Sequence, residues 1–197
     1  MPDQLAMTVG KRILMRLFGR PRGSLGRLGG IIMAHTNKKV AAWAIDLLGV
    51  RPTDRVLEVG FGPGVGIELL AEVAFSGRVV GVDCSQEMVE QATARNASAI
   101  DAGQVEMRKG SVEQLPFEDA LFDRVLAVNS MQVWPDARAG LREIRRVMKP
   151  GGKIAVAFTQ YAGQPKSGLT QVLAAADFPD GRLAETDDGF CALATKS

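Results

Sequence analysis

Residues 56–66 read VLEVGFGPGVG. A short apolar run gives way to glycines at every second position, Gly60, Gly62, Gly64 and Gly66. A tight turn needs one such residue, or two. Four on alternate positions point to main chain that something must approach closely, because glycine accepts positive φ and carries no Cβ to block a neighbour. RVLEV over 55–59 has the apolar, β-branched character of a buried strand, and residues 65–74 that follow have helical character. The glycines therefore fill a strand-to-helix loop. In an open parallel sheet such loops, at the carboxyl ends of the strands, are where ligands bind.

The spacing narrows the ligand. A dinucleotide fingerprint requires G-x-G-x-x-G/A; counted from Gly60 its third position is Val65, and counted from Gly62 it is Ile67. A phosphate-cradling loop of the G-K-S/T kind needs a lysine, and none stands here. Two acids frame the loop instead. Glu58 ends the first strand, where a cation would be welcome, and Asp83 stands at the end of the next, at VVGVD. A carboxylate at that second position can accept both hydroxyls of a ribose through charge-assisted bonds, worth about 1.5–3 kcal/mol each. The pattern implies a ligand with a ribose and a positive charge but no pyrophosphate.

Outward from the loop, strand and helix alternate. Strands are expected at 55–59, 78–82, 105–109, 122–128 and 153–158, with helices at about 37–48, 65–74, 85–100, 136–148 and 169–176. Lys149-Pro150-Gly151-Gly152 stops the penultimate helix. Two final strands, about 182–186 and 190–195, are joined by the hairpin signal Asp187-Asp188-Gly189. Such alternation argues for an α/β fold, a mostly parallel sheet with helices on both faces, to which the terminal hairpin adds an antiparallel strand.

The chain's 197 residues suit one compact core. A net charge of +2 is too small to argue for nucleic acid, and no apolar run reaches the length of a membrane span. Two cysteines and one histidine are too few for a disulfide scaffold or a zinc cluster, so no metal is expected and a reducing, cytoplasmic setting is. The first 30 residues stand apart. Lys11, Arg12, Arg16, Arg20, Arg22 and Arg27 face a single acid, Asp3, and Ile13, Leu14, Leu17 and Phe18 recur at helical spacing. No secretory signal is read in them. Residues 1–36 are taken as a basic segment, and 37–197 as the ligand-binding domain.

At this point a resemblance emerges. Glu58-Val59-Gly60-Phe61-Gly62-Pro63-Gly64 resembles the E/D-x-G-x-G-x-G motif of the class I S-adenosylmethionine-dependent methyltransferases, small-molecule type. VVGVDCSQEMVEQA (79–92), GSVEQLPFEDALFDRV (110–125), NSMQVWPD (129–136) and LREIRRVMKPGGKIAVA (141–157) are similar to further segments of that family, in its order. The resemblance covers about residues 37–197. It implies a Rossmann-like, doubly wound seven-stranded sheet whose last strand is antiparallel, with the N-terminal region folding over the cofactor as a lid.

It also implies roles. S-adenosylmethionine would be the cofactor and S-adenosylhomocysteine the product. Glu58, Gly60, Phe61, Gly62 and Gly64 would approach the cofactor, Asp83 and Cys84 would lie at its ribose, and Met88 would flank the adenine. Ser111 stands where the family often has an acid that accepts the adenine amino group. Its hydroxyl accepts that bond without the charge, or Val112 contributes through its backbone. Asn129, Gln132 and Trp134 follow the fourth strand beside the cofactor; Asn129 is counted with the cofactor, the other two with the acceptor.

Methyl transfer asks the protein to align a nucleophile with the methyl–sulfur bond and exclude water, and positioning of this kind supplies on the order of 7–11 kcal/mol of a barrier. A base is optional. His35, the lone imidazole, and Tyr161, the lone tyrosine, are the candidates. The expected partner is a small-molecule acceptor, hydrophobic if the basic N-terminal segment touches anionic lipid as basic amphipathic helices do. RNA ranks last, for want of an aromatic-interleaved basic patch. Oligomeric state is left open. Two other readings stay open: a cofactor-binding protein without catalysis, and an NAD-dependent oxidoreductase.

Overall fold

The computed structural model describes residues 38–197. The basic segment of residues 1–36, its amphipathic helix and His35 lie outside the described residues. Helix α1 covers residues 38–48 and ends where Gly49 turns left-handed, at φ 59°. Then follow β1 (Arg55–Val59), α2 (Val65–Val73), β2 (Arg78–Asp83), α3 (Gln86–Arg95), α4 (Ala97–Asp101), β3 (Val105–Lys109), β4 (Phe122–Val128), α5 (Ala137–Val147), β5 (Met148–Thr159), α6 (Leu169–Ala174), β6 (Arg182–Thr186) and β7 (Gly189–Thr195).

The seven strands form one sheet in the order β3-β2-β1-β4-β5-β7-β6. The first five are parallel, and β7 is antiparallel to both β5 and β6. The expected α/β class, doubly wound with an antiparallel last strand, is what the chain adopts.

Period-two alternation along the strands builds two cores. Leu57, Val59, Val80, Val82, Val125, Ala127, Ile154 and Val156 face one side, with Leu141, Ile144 and Val147 of α5 and Leu169 and Leu173 of α6. Val56, Val79, Leu126, Val128, Ala155 and Ala157 face the other, with Ala41, Ala44 and Leu48 of α1, Ile67 and Leu70 of α2, and Met88 and Ala92 of α3. The same parity sends Glu58 and Asp83 to the face that carries α1, α2 and α3.

Most boundaries move by a residue or two, and two differ from the sequence expectation by more than that. The single helix expected over 85–100 breaks at Asn96, whose Nδ2 donates to Ala92 O at 2.9 Å and to Gly64 O at 3.1 Å. The fifth strand, expected to begin at 153, begins at Met148. Met148 already pairs with Phe122, and the Pro-Gly-Gly stretch is absorbed as a register shift inside the strand. Among the described residues no helix is long and apolar enough to cross a membrane.

Candidate active site

The strand order reverses between β1 and β4, so the loops that leave these two strands diverge to opposite faces and leave a crevice at their carboxyl ends. A hollow opens there, lined by the glycine loop, Glu58, Ala41 of α1 and Val128 of β4.

The loop's glycines are explained largely from within the protein. Gly60, Gly62 and Gly64 have φ of 70°, 53° and 82°, a region costly for other residues. A Cβ on Gly60 would lie 2.4 Å from Ser130 Cβ, and one on Gly66 would lie 2.2 Å from Glu58 Oε1. Gly66 thus makes room for a carboxylate of the chain itself. The spacing of the glycines points to the close approach of a ligand; at Gly60 and Gly66 the close neighbour is protein.

The loop is tied down on three sides. Gly62 N donates to Asp83 Oδ2 at 2.9 Å. Asn96 Nδ2 and Arg95 Nε, at the end of α3, donate to Gly64 O and Pro63 O. Ser130 Oγ donates to Val59 O at 2.9 Å, joining the loop after β4 to the tip of β1. Asn96 and Ser130 went unread in the sequence. Nothing in their local pattern marks a buried amide or hydroxyl that reaches another loop, and only the strand order brings them there.

The two acids are unlike. Asp83 accepts backbone N–H bonds at both oxygens, from Gly62 and, at 2.8 Å, from Ser85. Burial raises its pKa, and the amides of Ser85, Gly62 and Cys84 oppose that shift. Glu58 is 2% exposed, and its Oε2 is buried with no hydrogen-bond partner. Burial, and then the nearby charge of Asp83, push its pKa well above the ordinary 4.5. A buried carboxylate oxygen left unmatched is costly, and it fits a cationic ligand.

Other residues singled out from the sequence fall into two groups. Phe61 packs over Gly81, where a Cβ would meet its ring at 2.6 Å. Met88, expected beside an adenine, is 2% exposed and belongs to the core on that face. Val112 is buried, and both it and Trp134 press on Gly140 of α5. Cys84 is exposed beside Asp83 and outside any disulfide. Ser111, also exposed, accepts from Glu113 N at 3.3 Å.

On the far side of the crevice Asn129, at φ 47°, accepts from Thr159 N at 2.8 Å and donates to Thr159 Oγ1 at 3.1 Å. Gln132 Nε2 donates back to Asn129 O, and Gln132 Oε1 is buried without a partner. Tyr161 is 94% exposed, and the structure does not bring it to the hollow.

The structure thus sets a carboxylate with a buried, unmatched oxygen beneath a glycine loop at the switch point, with a second acid one strand away. Comparison with known proteins agrees: the methyltransferase domain family matches residues 57–156. The chain belongs to this family. It is an S-adenosylmethionine-dependent methyltransferase, with S-adenosylmethionine as its cofactor. The uncharacterized methyltransferase YdaC of Bacillus subtilis (strain 168) is 34% identical over 129 residues, 66% of this chain and 69% of that protein. The ubiquinone/menaquinone biosynthesis C-methyltransferase UbiE of Geotalea daltonii is 33% identical over 115 residues, 58% of this chain and 49% of the relative. Among solved structures, a SAM-dependent methyltransferase from Aquifex aeolicus superposes with a TM-score of 0.68 at 21% identity, covering 80% of this chain and 89% of that one.

Proposed function

We propose that this methyltransferase acts on a small, hydrophobic acceptor of the quinol type. The observation that carries the reading is the similarity to UbiE, whose name is that of a quinone C-methyltransferase. The crevice supports it. The loop between β4 and α5 is short, with one turn of 3-10 helix at Met131–Val133, and apolar Phe61, Val65 and Val128 line the hollow.

In this proposal Asp83 holds the ribose, and the main chain of Gly60, Gly62 and Gly64 lies against the cofactor. Glu58 faces the cationic amino-acid end. When bound, the cofactor supplies an electrophilic methyl on a sulfonium. The chain supplies alignment. Asn129, clamped to Thr159, fixes the loop that carries Gln132, and the unmatched Gln132 Oε1 suits a hydroxyl or amine donor of the acceptor. Cys84, Ser111 and the Val112 backbone border the nucleoside, beside the helix that carries Met88; Trp134 walls the acceptor side. His35 is the candidate proton acceptor; Tyr161, exposed and away from the hollow, is given no part in it. Residues 1–36, as a basic cover that touches anionic lipid, would bring a membrane-dissolved acceptor to residues 37–197.

The test is transfer of radiolabelled methyl from S-adenosylmethionine to a panel holding a demethylated quinol, a catechol, an amine, a thiol and an RNA. Label on the quinol is expected. Label on the RNA or amine alone overturns the acceptor class, and no label on any, with cofactor bound, favours a binding protein without catalysis.

A further inference from the structure

Glu58 is a buried carboxylate to which the described residues offer no hydrogen bond at Oε2. Its Oε2 is buried without a partner, while Asp83 close by is supplied with backbone donors on both oxygens. The walls around it are Ala41 of α1, Gly66 of α2 and Val128 of β4, with Leu126 and Gly81 beside it in the sheet. None of these titrates. Among the described residues the charged group acting on Glu58 is Asp83, of the same sign. Gly66 cannot be larger, so the carboxylate's own room is reserved by the backbone. Of two nearby acids, the one with amide donors on both oxygens is the better able to keep its charge, and the one with an unmatched buried oxygen takes the proton.

We infer that Glu58 is a proton-coupled counter-ion: it carries a proton while no cation is in the crevice, and releases that proton to solvent when the cofactor's ammonium docks against it. No other bond changes. The proton leaves a Glu58 oxygen for the buffer, and the freed carboxylate accepts from the ammonium. Product carries the same ammonium, so loading with either S-adenosylmethionine or S-adenosylhomocysteine expels a proton, and affinity for both rises with pH until Glu58 is ionised in the empty protein. Burial, together with repulsion from Asp83, acts in the direction this requires. The inference rests on the cofactor placement proposed above and adds the protonation state of its partner.

The test is calorimetry of the full chain with S-adenosylhomocysteine, and separately with S-adenosylmethionine, in buffers of different ionisation enthalpy across about pH 5 to 8. Wild type is expected to release close to one proton per ligand at the acid end, falling towards none as pH rises, with Kd dropping by up to about tenfold per pH unit over the same range. Glu58→Gln is expected to bind more weakly with no buffer dependence. An infrared difference spectrum of wild type should show a carboxylic-acid carbonyl band lost on ligand addition, which decides the matter even if the variant does not fold. Binding whose heat is the same in every buffer, or release that persists in Glu58→Gln, overturns the proposal while leaving the cofactor site intact. Release with S-adenosylmethionine alone overturns the assignment to the ammonium. Absence of binding by either ligand overturns the cofactor placement beneath it.

Discussion

Gly62 N donates to Asp83 Oδ2 at 2.9 Å, across 21 residues of sequence. The acid that ends β2 therefore shapes the loop after β1 as well as standing at its edge. Asp83→Ala strands the buried amides of Gly62 and Ser85, at about 1–3 kcal/mol each. Thermal melts should show that loss, and calorimetry a cofactor affinity weakened more than about tenfold, the equivalent of one charge-assisted bond. Asp83→Asn keeps a carbonyl acceptor for one amide, so it should melt closer to wild type while still binding weakly.

Gly66→Ala puts a methyl where Glu58 Oε1 sits, since the added Cβ falls 2.2 Å from it. Overpacking of this kind costs about 1–3 kcal/mol. In Glu58→Ala the room is already vacated, so Gly66→Ala added to it should cost almost nothing. A double-mutant cycle on urea unfolding measures the coupling, and additive losses would mean that the two residues do not compete for space.

The pH dependence of stability has a defined sign. The folded-state pKa of Glu58 lies well above 4.5, so the folded chain holds a proton that the unfolded chain gives up. The associated stability is full below 4.5 and is lost as pH rises through the folded value, by up to about 1.4 kcal/mol per pH unit within that window. Urea midpoints of the ligand-free protein should fall over this range, and Glu58→Gln should flatten the fall. A wild-type profile that rises instead would contradict the burial of an unmatched carboxyl.

Asn129 combines a left-handed backbone with two side-chain bonds to Thr159. Asn129→Ala loses the bonds and keeps the unfavourable φ, a cost of about 2–3 kcal/mol; Asn129→Gly relieves the φ and should recover about 1 kcal/mol. Because this residue anchors the turn carrying Gln132, both variants should raise the KM for the methyl acceptor more than the Kd for S-adenosylhomocysteine.

The framework was legible because it is written locally. The strands at 55–59, 105–109 and 122–128 follow from apolar alternation and fall where expected, and Asp136, which accepts from Arg138 N and Ala139 N, is a helix start readable from type alone. What could not be read depends on contacts between distant segments. Asn96 ends a helix because Gly64 O is within reach, and Gly60 is small because Ser130 lies against it. Glu58 was legible as a candidate ligand from its place in a motif, whereas its lack of a partner emerges only once β2, α1 and α2 surround it.

The placement of β7 has a consequence for how the molecule is assembled. Residues 182–186 emerge from the ribosome before residues 189–195, yet among the described residues their sole neighbour in the sheet is the later strand. The earlier segment must wait, or fold onto its successor as a hairpin and dock against β5 as a pair. Either way the sheet closes only after the last strand is made, and the Asp187–Asp188 turn is the short link across which the final pair must form. Changes at that turn should slow refolding before they alter the final state.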